Sequence, residues 1–186
     1  CSKNLYIQSK PLRRLLGRKR LNSTTYQKIM RWNSRVGLTR RLNRMAFIHT
    51  ESVIQDVDIP TDKAAEFLDF LHDKIGILPI WICPIRVHNN KQSFPLFPMA
   101  TNSSYINFGF WDVVRTRRQK PRGHFNRMIE NKVTNFGGIK SLYSDVFFSH
   151  RAFWKAYNGP VYRELKTRYD PSGLLKDLYE KCVLRQ

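Results

Sequence analysis

The sequence predicts an α+β domain with the β-α-β-β-α-β order of a ferredoxin-like fold. Three observations point there. Four segments are rich in β-branched and aromatic residues that alternate with period two. Two segments among them repeat apolar residues at helical spacing. Gly and Pro punctuate the joins.

Ser52–Ile59 alternates roughly and is the first strand; Pro60 stops it. Thr61 then opens a helix with Ala64, Ala65, Phe67, Leu68, Leu71 and Ile75 on one broad face, and Gly76 is a natural residue to end it. Pro79–Arg86 is the second strand, and Pro84 inside it predicts an edge position or a bulge. Residues 88–103 form a loop, and Ser104–Trp111 is the third strand. A basic loop follows through Arg115, Arg117, Arg118, Lys120 and Arg122. Residues 123–136 make the second helix, with Phe125, Met128, Ile129, Val133 and Phe136 along one side and Gly137-Gly138 after it. Ser141–Phe148 is read as the fourth strand. The remainder is helical in three pieces, His150–Tyr157, Pro160–Tyr169 and Leu174–Leu184, separated by Asn158-Gly159 and Asp170–Gly173. The expected organisation is a basic helical arm over 1–45, the sheet domain over 46–149 and a C-terminal helical segment over 150–186.

Charge divides the chain unevenly. The net charge is +19 from 33 Lys+Arg and 14 Asp+Glu. Residues 1–50 hold 13 cations, among them Arg13, Arg14, Arg18, Lys19 and Arg20, and no acid. Their apolar residues, Leu12, Leu15, Leu16, Tyr26, Ile29, Met30 and Trp32, fall at helical spacing. That mixture suits a helix lying on an anionic membrane, packing on a neighbouring domain, or binding nucleic acid, in that order of preference. No run of 18 apolar residues exists to cross a bilayer. Cys1, Cys83 and Cys182 are odd in number and widely spaced, which fits a reducing compartment and no disulfide framework. The five histidines show no HxxxH or HExxH spacing, so no metal site is expected. The chain begins at Cys1 without a signal-peptide pattern and reads as part of something longer.

Alternation sorts the strand residues onto two faces. Ile80, Ile82, Ile106, Phe108, Phe110, Leu142, Val146 and Phe148 suit the side covered by helices. The uncovered face is expected to carry Trp81, Cys83, Tyr105, Asn107, Trp111, Tyr143 and Asp145, aromatic bodies with polar tips, as in a ligand pocket. RNA-recognition motifs use this strand order, and Asn107–Val113 is superficially similar to their third-strand signature. It lacks the leading Lys/Arg-Gly, and the first strand offers acids where a stacking aromatic is needed. An RNA-binding module therefore stands as the alternative reading, and no nucleic acid is expected.

Val53–Asp56, Leu78–Pro84, Leu142–Asp145, Phe153–Tyr162 and Tyr179–Cys182, in that order, resemble the C-terminal part of the Diminuto-like sterol side-chain reductases. Those are flavoproteins of the vanillyl-alcohol-oxidase (PCMH-type) superfamily. The resemblance covers roughly residues 45–186, and the basic arm loosely. It implies an FAD-binding domain upstream of this region, which itself caps the isoalloxazine and shapes a lipid pocket. The implied reaction reduces a carbon–carbon double bond in a sterol side chain or an unsaturated or methylene-branched fatty acyl chain, with NADPH or NADH as hydride source. This region alone is then expected to be inactive, and the whole enzyme cytoplasmic and peripherally bound to membrane. Tyr143 is expected to supply a proton or an orienting hydroxyl, and Asp145 to orient Tyr143 or bind a ribityl or substrate group. Tyr105 and Asn107 are expected near the flavin ring, and Trp81, Cys83 and Trp111 in the substrate wall. Arg117 and Arg118 are expected to meet a phosphate of the nicotinamide or of a lipid head group.

Overall fold

The computed structural model describes residues 48–89, 91 and 93–185, together with Lys28, Arg31, Trp32 and Val36. These last four are helical and exposed. Arg13, Arg14, Arg18, Lys19 and Arg20 lie outside the described residues. The chain divides into two units, Cys1–His49 and Thr50–Gln186.

The first strand, β1 (His49–Pro60), buries Glu51, Val53, Gln55, Val57 and Ile59 and turns Ser52 and Ile54 outward. Period two thus sets which face meets the helices. A 3₁₀ turn (Thr61–Lys63) leads into α1 (Ala64–Phe70), which closes through a π turn at Leu71–Ile75. Gly76 ends it at φ 69, in the left-handed region that glycine enters without a Cβ penalty. Strands β2 (Ile80–Arg86) and β3 (Ser104–Thr116) pair antiparallel, with Trp81 opposite Gly109 and Cys83 opposite Asn107. β3 runs past its predicted end at Trp111 into the basic stretch. α2 (His124–Asn135) and β4 (Ile139–Lys140) complete the unit. The sheet order β2-β3-β1-β4 is that of a ferredoxin-like sheet, and β2 is an edge, as Pro84 foretells.

Both helices cover the same face. Phe67, Leu71 and Ile75 meet Phe125, Ile129 and Val133 over Val53, Val57, Ile59, Phe108 and Phe110. A second cluster gathers Ile139, Val146 and Phe148 with Phe153 of α3 (His150–Ala156) and Tyr157, which caps that helix. The helix α4 (Gly159–Tyr169) follows, and a π turn at Glu180–Leu184 ends the described chain. The predicted helix over Leu174–Leu184 is thus shorter than expected: 173–177 are irregular, because Asp170 and Asp177 capture local backbone N–H groups.

The larger correction concerns the fourth strand. Ser141–Phe148 alternates like a strand, yet pairing stops at Lys140, with one further bond from Ser141 N to Asp56 O (2.9 Å). Side chains take the place of the ladder. Glu130 of α2 accepts the Phe147 N–H at 3.0 Å. Lys140 Nζ donates to Glu130 Oε1 (2.8 Å) and to the Asp145 carbonyl. Arg127 Nη1 donates to Phe147 O (3.0 Å), and Tyr157 Oη donates to Lys140 O (2.7 Å). These bonds give the Asp145 carbonyl and both backbone groups of Phe147 partners outside the sheet. Gly123 makes room for it: at φ 72, its absent Cβ would lie 2.4 Å from Phe147 Cδ1.

Glu130 and Lys140 are almost wholly shielded from solvent. Truncating one leaves the other as an uncompensated buried charge. Lys140→Ala is therefore expected to cost about 3–5 kcal/mol, read as a lowered urea midpoint, whereas a surface lysine such as Lys155 should cost under about 0.5 kcal/mol.

Candidate functional site

The uncovered sheet face carries the site. Trp81, Trp111 and Tyr143 are 64%, 56% and 63% exposed, unusually open for large aromatics, and Ile54 joins them. Beneath lie two carboxylates from β1, Asp56 and Asp58, one residue apart in their alternation and so on one face. Asn107 Nδ2 donates to Asp58 Oδ1 at 2.8 Å. Tyr143 donates its hydroxyl hydrogen bond to Asp56.

Gly109 permits this arrangement. A Cβ there would stand 2.5 Å from Asp56 Oδ1 and 3.4 Å from Trp81 Cβ. The missing side chain lets the carboxylate lie across β3, with Trp81 on the far side.

The irregular segment opens a cavity beside these groups. Continuing the register that pairs Val57 with Lys140 would set Tyr143 against Ile54 and Asp145 against Ser52. Because the chain leaves the sheet instead, Ser52, Ile54, Tyr143, Ser144 and Asp145 line an open hollow of about 340 Å³. That is the lower end of the size of small-molecule pockets, roughly 300–1,000 Å³.

Electrostatics follow from burial and from the two acids. Burial, then the Asp56 charge and hydrogen bond, push the Tyr143 phenol up to about 12, so it holds its proton at neutral pH. Burial pushes the Asp58 carboxyl up, the Asn107 hydrogen bond pulls it back, and Asp56 adds to the rise.

The structure brings Trp81, Cys83, Asn107, Trp111 and Tyr143 to one face as expected. Two residues sit elsewhere in role. Tyr105 is buried, and its hydroxyl accepts the Ala100 N–H at 3.0 Å, because residues 97–101 fold over it. Asp145 pairs with Arg185, and Tyr143 is held by Asp56 instead. Arg117 and Arg118 are exposed at the end of β3, where Arg118 N donates to Thr116 Oγ1 (3.2 Å). Arg122 of the same basic stretch lines a second hollow of about 380 Å³ with Arg127, Arg185, Phe147 and Tyr179. Sequence reasoning missed Asp56 as a partner of the tyrosine and Gly109 as what makes room for it. The signal was present: alternation sets Asp56 and Asp58 on the face of Ser52 and Ile54, and the third acid of the strand, Glu51, on the opposite one.

Two measurements check this geometry. In Asp56→Asn the Tyr143 phenol should fall from about 12 yet stay above its ordinary value of 10, since burial is the larger cause; labelled-tyrosine NMR titration reads it. Asp58 has a raised folded pKa, so its contribution to stability is present below the unfolded value near 3.8 and is lost as pH rises through the folded value. Asp58→Asn should accordingly gain stability relative to the parent at pH 7 compared with pH 3.5, by urea unfolding at both.

No family model and no solved structure matches the chain. Among curated proteins, the chain is 25% identical over 130 residues to Delta(24)-sterol reductase of Homo sapiens, covering 69% of this chain and 25% of that one. The Delta(24)-sterol reductase homolog of Caenorhabditis elegans is 23% identical over 129 residues, covering 69% and 24%. Delta(24)-sterol reductase of Arabidopsis thaliana is 21% identical over 150 residues, covering 73% and 27%. The chain thus spans about a quarter of the length of these relatives. Over some 70% of its length the chain is similar to proteins named Delta(24)-sterol reductase.

Proposed function

We propose that this chain forms the substrate-facing part of an oxidoreductase that reduces a carbon–carbon double bond in a lipid, a sterol side chain foremost. The observation that carries the reading is the open sheet face, where a protonated Tyr143 anchored on Asp56 stands beside exposed Trp81 and Trp111. Similarity to proteins named Delta(24)-sterol reductase supports it.

An FAD fits this face from one side. Exposed flat rings suit a ring system laid against them, and Asn107 and Asp58 supply polar atoms between. Among the described residues none forms a Gly-rich phosphate loop. A flavin held against this face would supply the hydride chemistry. This chain's residues do the rest. Tyr143 turns its hydroxyl from Asp56 toward the substrate and delivers the proton. Asp56 fixes the ring beforehand and keeps the phenol protonated. Trp111 and Ile54 exclude water from the lipid chain. A nicotinamide reductant finds cations for its phosphates at Arg117, Arg118 and the hollow lined by Arg122, Arg127 and Arg185. Arg13, Arg14, Arg18, Lys19 and Arg20 hold the protein on an anionic, cytoplasmic membrane surface that delivers the substrate. The RNA reading loses ground here: Asp56 and Asp58 occupy the face on which phosphates would lie.

The test uses the protein with its natural flanking sequence. Its visible spectrum should show a flavin that bleaches with anaerobic NADPH, and mass spectrometry should show loss of a sterol side-chain double bond. Tyr143→Phe should lower kcat on the order of 10²-fold with KM nearly unchanged. An unchanged kcat removes Tyr143 from the chemistry. A folded protein with neither flavin nor alkene turnover overturns the activity.

A further inference from the structure

The two edges of the sheet are built differently. The order β2-β3-β1-β4 sets β4 at one edge, where it is two residues long and offers little to pair with. At the other edge β2 runs for seven residues, Ile80–Arg86, and no strand among the described residues pairs with its outer side. Native edges of that length are usually guarded by charge. Here the chain has no charged residue from 75 to 85. Leu78, Trp81 and Ile82 are 63%, 64% and 51% exposed, and alternation puts Trp81 and Ile82 on opposite faces. Both sides of this edge are therefore apolar.

Two contacts fix which backbone groups of β2 point outward. Thr61 Oγ1, just past the end of β1, donates to the Ser104 carbonyl at 2.8 Å, so Ser104 turns its backbone toward β1. Alternation then turns Tyr105, Asn107 and Gly109 toward β2, where they face Ile85, Cys83 and Trp81. The backbone groups of Ile80, Ile82, Pro84 and Arg86 are left facing away from the sheet. Pro84 agrees with this, since it has no N–H to give to β3 and its carbonyl accepts the Cys83 thiol at 3.8 Å. It removes one outward donor and leaves those of Ile80, Ile82 and Arg86.

This strand complements itself. Laid antiparallel on another β2 with Cys83 on the two-fold axis, Ile80 and Arg86 of the second copy exchange N–H···O bonds in both directions. The Ile82 N–H reaches the carbonyl of the other Pro84, Trp81 stands across from Ile85, and Arg86 lays its methylene stem along Ile80. A two-fold contact needs such a self-matching patch. Charge favours a second copy as well. Copies of a chain with net charge +19 repel one another, and this strip lets them meet where no charge lies. In this register the two Arg86 residues stand about 20 Å apart at roughly 3.3 Å per residue, beyond the screening length of about 8 Å. A different, acidic partner would find one cation on this strand, Arg86.

We propose that β2 is a dimerisation edge: it pairs antiparallel with β2 of a second copy about an axis at Cys83 and joins the two four-stranded sheets into one. The axis is normal to the sheet, so the open faces of both copies look the same way. Trp111 and Tyr143 lie outside β2 and stay clear of the join. The pairing goes beyond the reductase reading and does not rest on it.

The experiment takes the protein with its natural flanking sequence. Sedimentation velocity at micromolar concentration should show a dimer. Ile82→Lys places a charge on the exposed edge and should raise the dimer dissociation constant about tenfold or more, with circular dichroism unchanged because Ile82 lies outside both core clusters. With Cys1→Ser and Cys182→Ala, Cys83 is the remaining cysteine of this chain. Residues facing each other in a pair without hydrogen bonds have Cα atoms about 4.5 Å apart, within disulfide reach. Mild oxidation should therefore yield a covalent dimer through Cys83, and adding Ile82→Lys should slow its formation. A protein that sediments as a monomer overturns the proposal and means that sequence outside this chain covers β2. A dimer indifferent to Ile82→Lys, or one that does not link through Cys83, overturns it equally.

Discussion

The buried pair of Glu130 and Lys140 decides how the chain leaves its sheet. Taking two charges out of water is costly, and burial pushes the Glu130 carboxyl up and the Lys140 ammonium down, each toward neutrality. Their mutual attraction and hydrogen bonds oppose that. Glu130 receives Lys140 and the Phe147 N–H; Lys140 also reaches the Asp145 carbonyl. The pair therefore ties α2, β4 and the segment beyond β4 at one point, and Tyr157 adds α3 through the Lys140 carbonyl. Without it, the segment 141–148 loses its bonds at the Asp145 carbonyl and the Phe147 N–H.

That departure makes the site. A regular fourth strand would have pressed Tyr143 and Asp145 against Ile54 and Ser52 and closed the space between them. Instead Tyr143 reaches Asp56, which has room because position 109 lacks a side chain. The helices guard the opposite face with a conventional apolar core. Polar chemistry and stability are thus separated by the thickness of one sheet, and each strand serves both by alternation.

Much of this was legible in the sequence because it depends on local periodicity. β1 ends at Pro60, the first helical stretch closes at Gly76, β2 begins just after Pro79 and α2 ends just before Gly137, close to where those residues place the breaks. The edge position of β2 followed from Pro84, and the open face from alternation along Ser104–Trp111. What escaped was non-local. Ser141–Phe148 alternates as well as any strand in the chain, and only a carboxylate on α2 and an ammonium from β4 make another path cheaper. Tyr105 was misplaced for a similar reason: a loop folds over it, and loop paths leave little trace in periodicity. Asp145 is expected from the sequence to orient Tyr143 or to bind a ribityl or substrate group, whereas it pairs with Arg185, and the acid acting on Tyr143 comes from a strand nearly ninety positions earlier.

The way 142–148 is held also sets the wall of the hollow apart from the sheet beneath it. No ladder bond ties this wall to β1 beyond Ser141; its anchors are side chains. The wall is pinned instead at Glu130, Arg127 and Lys140, with Val146 and Phe148 sunk into the second core cluster. Floor and wall of the hollow are thus held by different kinds of bond, a backbone ladder beneath and side-chain anchors at the side.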